Sequence, residues 1–128
     1  MGEAPVGAII VGTGNQEGLF LALGKRSTVV GRDESLPLQI EDERVSRKHV
    51  QFRLDPATNN YVVMDLQSTN GTSVNDRRIF TETVLADGDV ITIGNTKLLF
   101  TLEIPTDKAN ALAVYKKVGE KRRSTLIR

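Results

Sequence analysis

The chain has 128 residues, 39% of them hydrophobic and 26% charged, and a formal net charge of +1. That length holds one domain with little over, and the composition is globular rather than disordered. The absence of cysteine excludes disulfides, thiolate catalysis and cysteine-ligated zinc or iron–sulfur sites, and the single histidine, His49, removes most histidine-based metal sites. No metal or other cofactor is expected.

In chain order, residues 7–11 (GAIIV) and 18–23 (GLFLAL) read as strands, with the Gly- and Asn-rich GTGNQEG turn between them. The run 6–11 (VGAIIV) is too short for a signal-peptide core or a membrane span, and no basic run precedes it. Met1-Gly2 would open an N-myristoylation motif, but Val6 stands where that motif needs Ser or Thr. With neither cysteine nor a signal, a cytoplasmic location and no membrane partner are expected. STVVGR (27–32) reads as a third strand. HVQFRL (49–54) alternates with period two, DPATNN (55–60) makes a hairpin loop, and YVVMDL (61–66) returns. TSV (72–74), RRIF (77–80), DVITIG (89–94) and KLLFTLEI (97–104) complete the set, the last two joined by a Gly94-Asn95 hairpin signal. Many short strands with closely spaced turns predict an all-β sandwich over residues 1–104.

The remainder, 105–128, differs in kind. Residues 1–104 hold 10 Lys+Arg against 14 Asp+Glu, a net of −4, whereas residues 105–128 hold 7 against 2, a net of +5. Pro105 ends the last strand and Thr106 is the expected helix N-cap. Ala111, Val114, Tyr115 and Val118 share one helical face, Gly119 is the expected C-cap, and KRRSTLIR reads as a disordered basic tail.

Three predicted loops concentrate polar groups at strand ends: Gly31-Arg32, Val45-Ser46-Arg47-Lys48-His49 and Ser68-Thr69-Asn70-Gly71-Thr72. Together they offer guanidinium groups, hydroxyls and an amide, and few acids. That inventory suits an anion with directional oxygens. Arginine presents a planar fork matched to phosphate, hydroxyls rotate to donate to phosphate oxygens, and an amide pairs with peptide backbone. Each feature also has a plain structural explanation. Arg32 could pair with Asp33 or Glu34, Ser46 could cap a loop, and Asn70-Gly71 could be a simple turn. The basic Arg44, Arg47 and Lys48 could form a solvated face, and His49, leading an alternating strand, could hold backbone.

Taken together, VVGR (29–32), EDERVSRKHVQF (41–52), VMDLQSTNGTSVN (63–75) and LADGDVITIGNTKLLF (85–100) resemble the forkhead-associated (FHA) domain family over roughly residues 7–104. The resemblance implies an all-β FHA-like sandwich of two twisted antiparallel sheets, here followed by a short C-terminal helix and basic tail. It also implies recognition of phosphothreonine in partner proteins, and hence a Ser/Thr kinase pathway. Carried over by position, Arg32, Ser46, Arg47 and Thr69 would bind phosphothreonine and Asn70 the peptide backbone. Gly31, His49 and Gly71 would support the loops. Val50 stands where the family commonly has alanine, and Leu36-Pro37 where small polar residues are common.

The alternative is an FHA-fold module that binds proteins without phosphate. A hydrolase using Ser46 and His49 is not expected, since no oriented acid or nucleophile-elbow motif accompanies them, and no catalytic residue is assigned. Nucleic acid is a poor partner for a net-acidic body whose tail offers only Tyr115 for stacking. In the tail, Arg122-Arg123-Ser124-Thr125 sets two arginines before two hydroxyls, making Thr125 a candidate phosphosite and a candidate ligand for the same loops, in cis or in trans. Its plain reading is the basic end of a linker.

Overall fold

The structure, a computed structural model, describes residues 6–127, with side chains as far as Val118. Met1-Gly2 and the Thr125 side chain lie outside the described residues. The strands are β1 (Gly7–Val11), β2 (Phe20–Leu23), β3 (Thr28–Gly31), β4 (Leu38–Gln39), β5 (Val50–Asp55) and β6 (Asn60–Asp65). They continue with β7 (Thr72–Val74), β8 (Arg77–Arg78), β9 (Thr83–Val84), β10 (Val90–Ile93) and β11 (Thr96–Thr101), and the helix α1 spans Lys108–Ile127. A six-stranded sheet runs β2-β1-β11-β10-β7-β8 and a five-stranded sheet β4-β3-β5-β6-β9.

The pairings are antiparallel except one. β4 lies parallel to β3, with Val30 opposite Leu38, so the second sheet is mixed rather than purely antiparallel. The two-residue strands β4 and β9 carry too few residues to show a period-two pattern, and both sit at edges of that sheet. The alternation in β5 is realised in full: Val50, Phe52 and Leu54 are buried and Gln51 and Arg53 half-exposed. Those buried residues meet Ile9, Val11, Leu98 and Phe100 of the other sheet in one core.

The continuous apolar run of β1 has a different cause. Ile9 and Val11 enter the inter-sheet core, while Ile10 faces outward and joins Leu99, Ala111 and Val114 in a second cluster beneath α1. A strand covered on both faces has no polar side to show. The helix therefore forms a third layer over the outside of the six-stranded sheet.

Two helix boundaries differ from the sequence expectation. The N-cap is Asp107, not Thr106: its carboxylate accepts the Asn110 backbone N–H at 2.8 Å, and the Asn110 side chain in turn accepts the Thr106 N–H at 3.1 Å. A carboxylate also suits the positive end of the helix dipole better than a hydroxyl does. The helix passes through Gly119 to Ile127, so KRRSTLIR is not a disordered tail as far as that residue. One interior glycine costs a helix only about 1 kcal/mol, and the Lys and Arg residues that follow favour the helical state.

The Gly12-Thr13-Gly14 turn seats this helix. A Cβ on Gly12 would stand 2.0 Å from the Tyr115 ring, so the aromatic lies directly on the glycine backbone. Gly12→Ala should lower unfolding free energy by about 1–3 kcal/mol in urea titration through overpacking. Gly24→Ala, whose Cβ would meet nothing within 4 Å, should change little.

Candidate functional site: three loops at one end of the sandwich

The C-terminal end of β3, the segment entering β5 and the β6–β7 connection lie at one end of the sandwich. Gly31 ends β3 against the second of these segments. A Cβ there would fall 2.2 Å from the Arg47 carbonyl oxygen, so no larger residue allows the two backbones to approach this closely. The approach is sealed by backbone bonds: Arg32 N–H to the Ser46 carbonyl at 3.0 Å and Asp33 N–H to the Arg47 carbonyl at 3.1 Å.

Arg32 is exposed, and its Nε–H donates to the Val45 carbonyl at 2.9 Å. That bond fixes the fork and leaves both terminal nitrogens for a ligand. Neither Asp33 nor Glu34 pairs with it among the described residues. Asp33 is occupied by the Ser35 backbone N–H and hydroxyl, at 2.9 and 3.0 Å, which hold its carboxyl below the usual value. Arg32 and Arg47 line an open polar cleft of about 340 Å³ with Asp33, Glu34 and Gln39.

Ser46 joins this cleft to the third loop. Its Oγ accepts the Thr69 backbone N–H at 3.0 Å, which leaves its own hydroxyl proton to donate elsewhere. Thr69 and Asn70 are exposed. One Asn70 N–H donates to the Arg44 carbonyl at 2.8 Å, leaving the amide oxygen and the other N–H for a further partner.

His49 lies fully buried beneath all three loops. Its Nδ1 accepts the Ser46 N–H at 3.0 Å, so the ring proton sits on Nε2, which donates to the Gly71 carbonyl at 2.8 Å. Its backbone N–H reaches the Val30 carbonyl, and its carbonyl accepts the Leu66 N–H. With both ring nitrogens engaged, the imidazole is a strut. Gly71 itself sits at φ +83°, a conformation that side chains strain to adopt.

Two carboxylates that sequence reasoning left unassigned organise the loops. Asp65 accepts the Ser68 and Thr72 hydroxyls on one oxygen, at 2.5 and 2.6 Å, and the Ser68 N–H on the other at 3.0 Å. Burial pushes its pKa up, but the bonds from Ser68 and Thr72, with His49 nearby, outweigh it and hold it below the usual carboxylate value. Asp42 accepts the Arg44 N–H at 2.9 Å and, on its other oxygen, the Asn95 N–H and the Thr96 hydroxyl, each at 2.8 Å. The local half of each pattern is a short-range acidic turn bond visible in sequence, Asp65 to Ser68 and Asp42 to Arg44. The bonds from Thr72, Asn95 and Thr96 are not. Among the described residues no group of histidine and acidic side chains could hold a metal ion.

Thus the fold brings Arg32, Ser46, Arg47, Thr69 and Asn70 to one surface, with Gly31, His49 and Gly71 beneath or between them. The Thr125 side chain lies outside the described residues; the described side chains of α1 pack on the outer face of the six-stranded sheet. No helix among the described residues is long and apolar enough to cross a membrane.

Asp65→Asn should lower unfolding free energy by about 1–3 kcal/mol, because the amide NH2 replaces one of the two accepting oxygens and so faces either the Ser68 backbone N–H or the pair of hydroxyls with a donor. The pH dependence has a definite sign. A carboxyl depressed on folding contributes stability that is present above its unfolded pKa, near 3.9, and lost as pH falls through its lower folded value. Denaturation curves below pH 5 should therefore fall more steeply for the wild type than for Asp65→Asn.

The family model described as the FHA domain matches residues 28–94. The glycogen accumulation regulator GarA of Mycobacterium tuberculosis is 37% identical over 92 residues, covering 72% of this chain and 55% of that protein. The chain thus spans about half the length of that curated relative. The FHA domain solved in a structural and functional analysis of phosphothreonine-dependent FHA domain interactions shares 31% identity and a TM-score of 0.67, covering 77% of this chain and 97% of that one. The FhaA FHA domain, from Mycobacterium tuberculosis and solved in complex with the intracellular domain of Rv3910, shares 32% identity and a TM-score of 0.65, covering 73% and 98%. With these three loops on this sandwich, the chain belongs to the FHA domain family.

Proposed function

We propose that the chain is a phosphothreonine-dependent binding module in signalling, which docks threonine-phosphorylated proteins through the three loops without turning them over. The observation that carries this reading is the Ser46 side chain. Its oxygen accepts the Thr69 N–H, which leaves its own proton free to donate, and the Arg32 fork of the neighbouring segment is already fixed by the Val45 carbonyl. Preorganised donors around an unfilled polar surface suit a dianion with three oxygens. In this reading Arg32, Ser46, Arg47 and Thr69 hold the phosphate, and Asn70 holds the main chain of the peptide. Gly31, His49 and Gly71 keep the loops in register. Residues 1–104 form the recognition unit and 105–128 its covering helix and basic end. Its partners are products of a Ser/Thr kinase, and it works in the cytoplasm. The phosphothreonine-dependent interactions of the solved FHA domain above support it. In this reading Thr125 is a phosphosite and a candidate ligand for the loops, in cis or in trans.

Each charge-assisted hydrogen bond is worth about 1.5–3 kcal/mol, so several, less the ordering costs, give affinity on the order of micromolar. Arg32→Ala should lower phosphopeptide affinity at least about tenfold by calorimetry, with the thermal midpoint nearly unchanged. A folded Arg32→Ala protein with unchanged affinity would refute the assignment, and binding of the unphosphorylated peptide would favour a phosphate-independent module. Asn70→Ala should weaken binding of a long phosphopeptide more than binding of free phosphothreonine, which offers little main chain to the amide. Equal losses, measured by competition, would contradict that role.

A further inference from the structure

Beyond the loops themselves, the β7–β8 hairpin places a further cation, Arg78, against the site. Asn75 and Asp76 both have positive φ, at 51° and 67°, giving the tight two-residue turn that folds β8 back with Arg78 opposite Ser73. The Arg78 guanidinium then lies flat on Gly71: a Cβ there would stand 2.2 Å from both its Nε and its Cζ. It also stands over the Phe80 ring, whose centroid is 5.7 Å from Cζ. Phe80 is 84% exposed, the most exposed large hydrophobic side chain among the described residues. Arg78 is exposed and has no ion pair among the described residues, although residues 1–104 carry a net charge of −4.

We propose that Arg78, braced by Phe80 and the Gly71 backbone, is a specificity-determining residue that receives an acidic side chain of the phosphopeptide at a position flanking phosphothreonine. This rests on the phosphopeptide reading and extends it past the phosphate. Three features support it. The fork is positioned by packing on two sides, so little side-chain entropy remains to be lost on binding. It lacks an internal carboxylate, so a ligand carboxylate would be its first. It adjoins Asn70 through Gly71, so a peptide held by the Asn70 amide runs within reach of it. Phe80 supplies an exposed aromatic face for the aliphatic part of the same ligand side chain.

The test is calorimetric titration of a phosphothreonine peptide and of variants carrying Glu at each flanking position in turn. One position should tighten binding to the wild type about fivefold, as an exposed but oriented ion pair does. Arg78→Gln should bind the parent peptide as the wild type does yet lose that gain. Arg78→Lys should restore part of it, and Phe80→Ala should reduce it. A wild type indifferent to Glu at every position would overturn the inference. So would an equal loss for parent and Glu peptides in Arg78→Gln, which would make Arg78 only a prop for Gly71. Wild-type protein that binds no phosphopeptide at all would overturn the underlying reading and this inference together, whereas parent binding without a Glu preference sinks this inference alone.

Discussion

The imidazole of His49 spans from the Ser46 N–H on one ring nitrogen to the Gly71 carbonyl on the other. These two backbone groups come from different loops, and the ring between them sets the distance from one to the other. Around it, the backbone of His49 bonds Val30 and Leu66, so the ends of β3 and β6 are fixed to the same residue. A buried polar ring is costly unless both nitrogens are satisfied, and here both are. Removing the ring would leave a buried N–H and a buried carbonyl unpaired as well as a void.

The carboxylates extend this frame. Asp65 gathers the Ser68–Thr72 loop around itself, and Asp42 ties the segment before Ser46 to the β10–β11 hairpin of the other sheet. Neither needs to touch a ligand. By consuming the donors nearest to them, they leave Arg32, Ser46, Arg47, Thr69 and Asn70 with unspent hydrogen-bonding capacity on this surface. Rigid loops with unspent donors bind with less ordering cost than loops that must organise around their ligand. The bonds run in two directions, along each loop and between sheets, so loop geometry is coupled to the packing of the whole sandwich.

The helix is coupled to the same end through Gly12 and Tyr115. The turn that carries Gly12 continues into Gln16, whose side-chain oxygen accepts the Glu41 N–H and whose amide donates to the Gln39 carbonyl. Glu41 leads directly into the segment that presents Ser46. A chain of packed and hydrogen-bonded groups thus connects the outer layer to the loops.

The strands long enough to show a period, the hairpins at 55–60 and 94–95, the all-β class and the identity of the exposed polar residues were legible in the sequence, because each depends on neighbours a few positions away. Alternation in HVQFRL, turn residues in DPATNN, and the order of Gly-Arg, Ser-x-x-His and Ser-Thr-Asn-Gly are local patterns. What only the tertiary structure decided is which groups are used up and which are left over. Asp42 and Thr96 are 54 positions apart, and His49 and Gly71 are 22 apart. Such partners meet only once the sheets are in register and stacked. The same holds for Arg78, an ordinary basic residue in sequence, which becomes part of the site surface because a two-residue turn folds it onto Gly71. It holds for β4 and β9, two-residue strands too short to show a period, each defined by the strand it pairs with at an edge of the second sheet. Local chemistry chose which residues are polar, and long-range packing decided which of them keep unspent hydrogen-bonding capacity at this end of the sandwich.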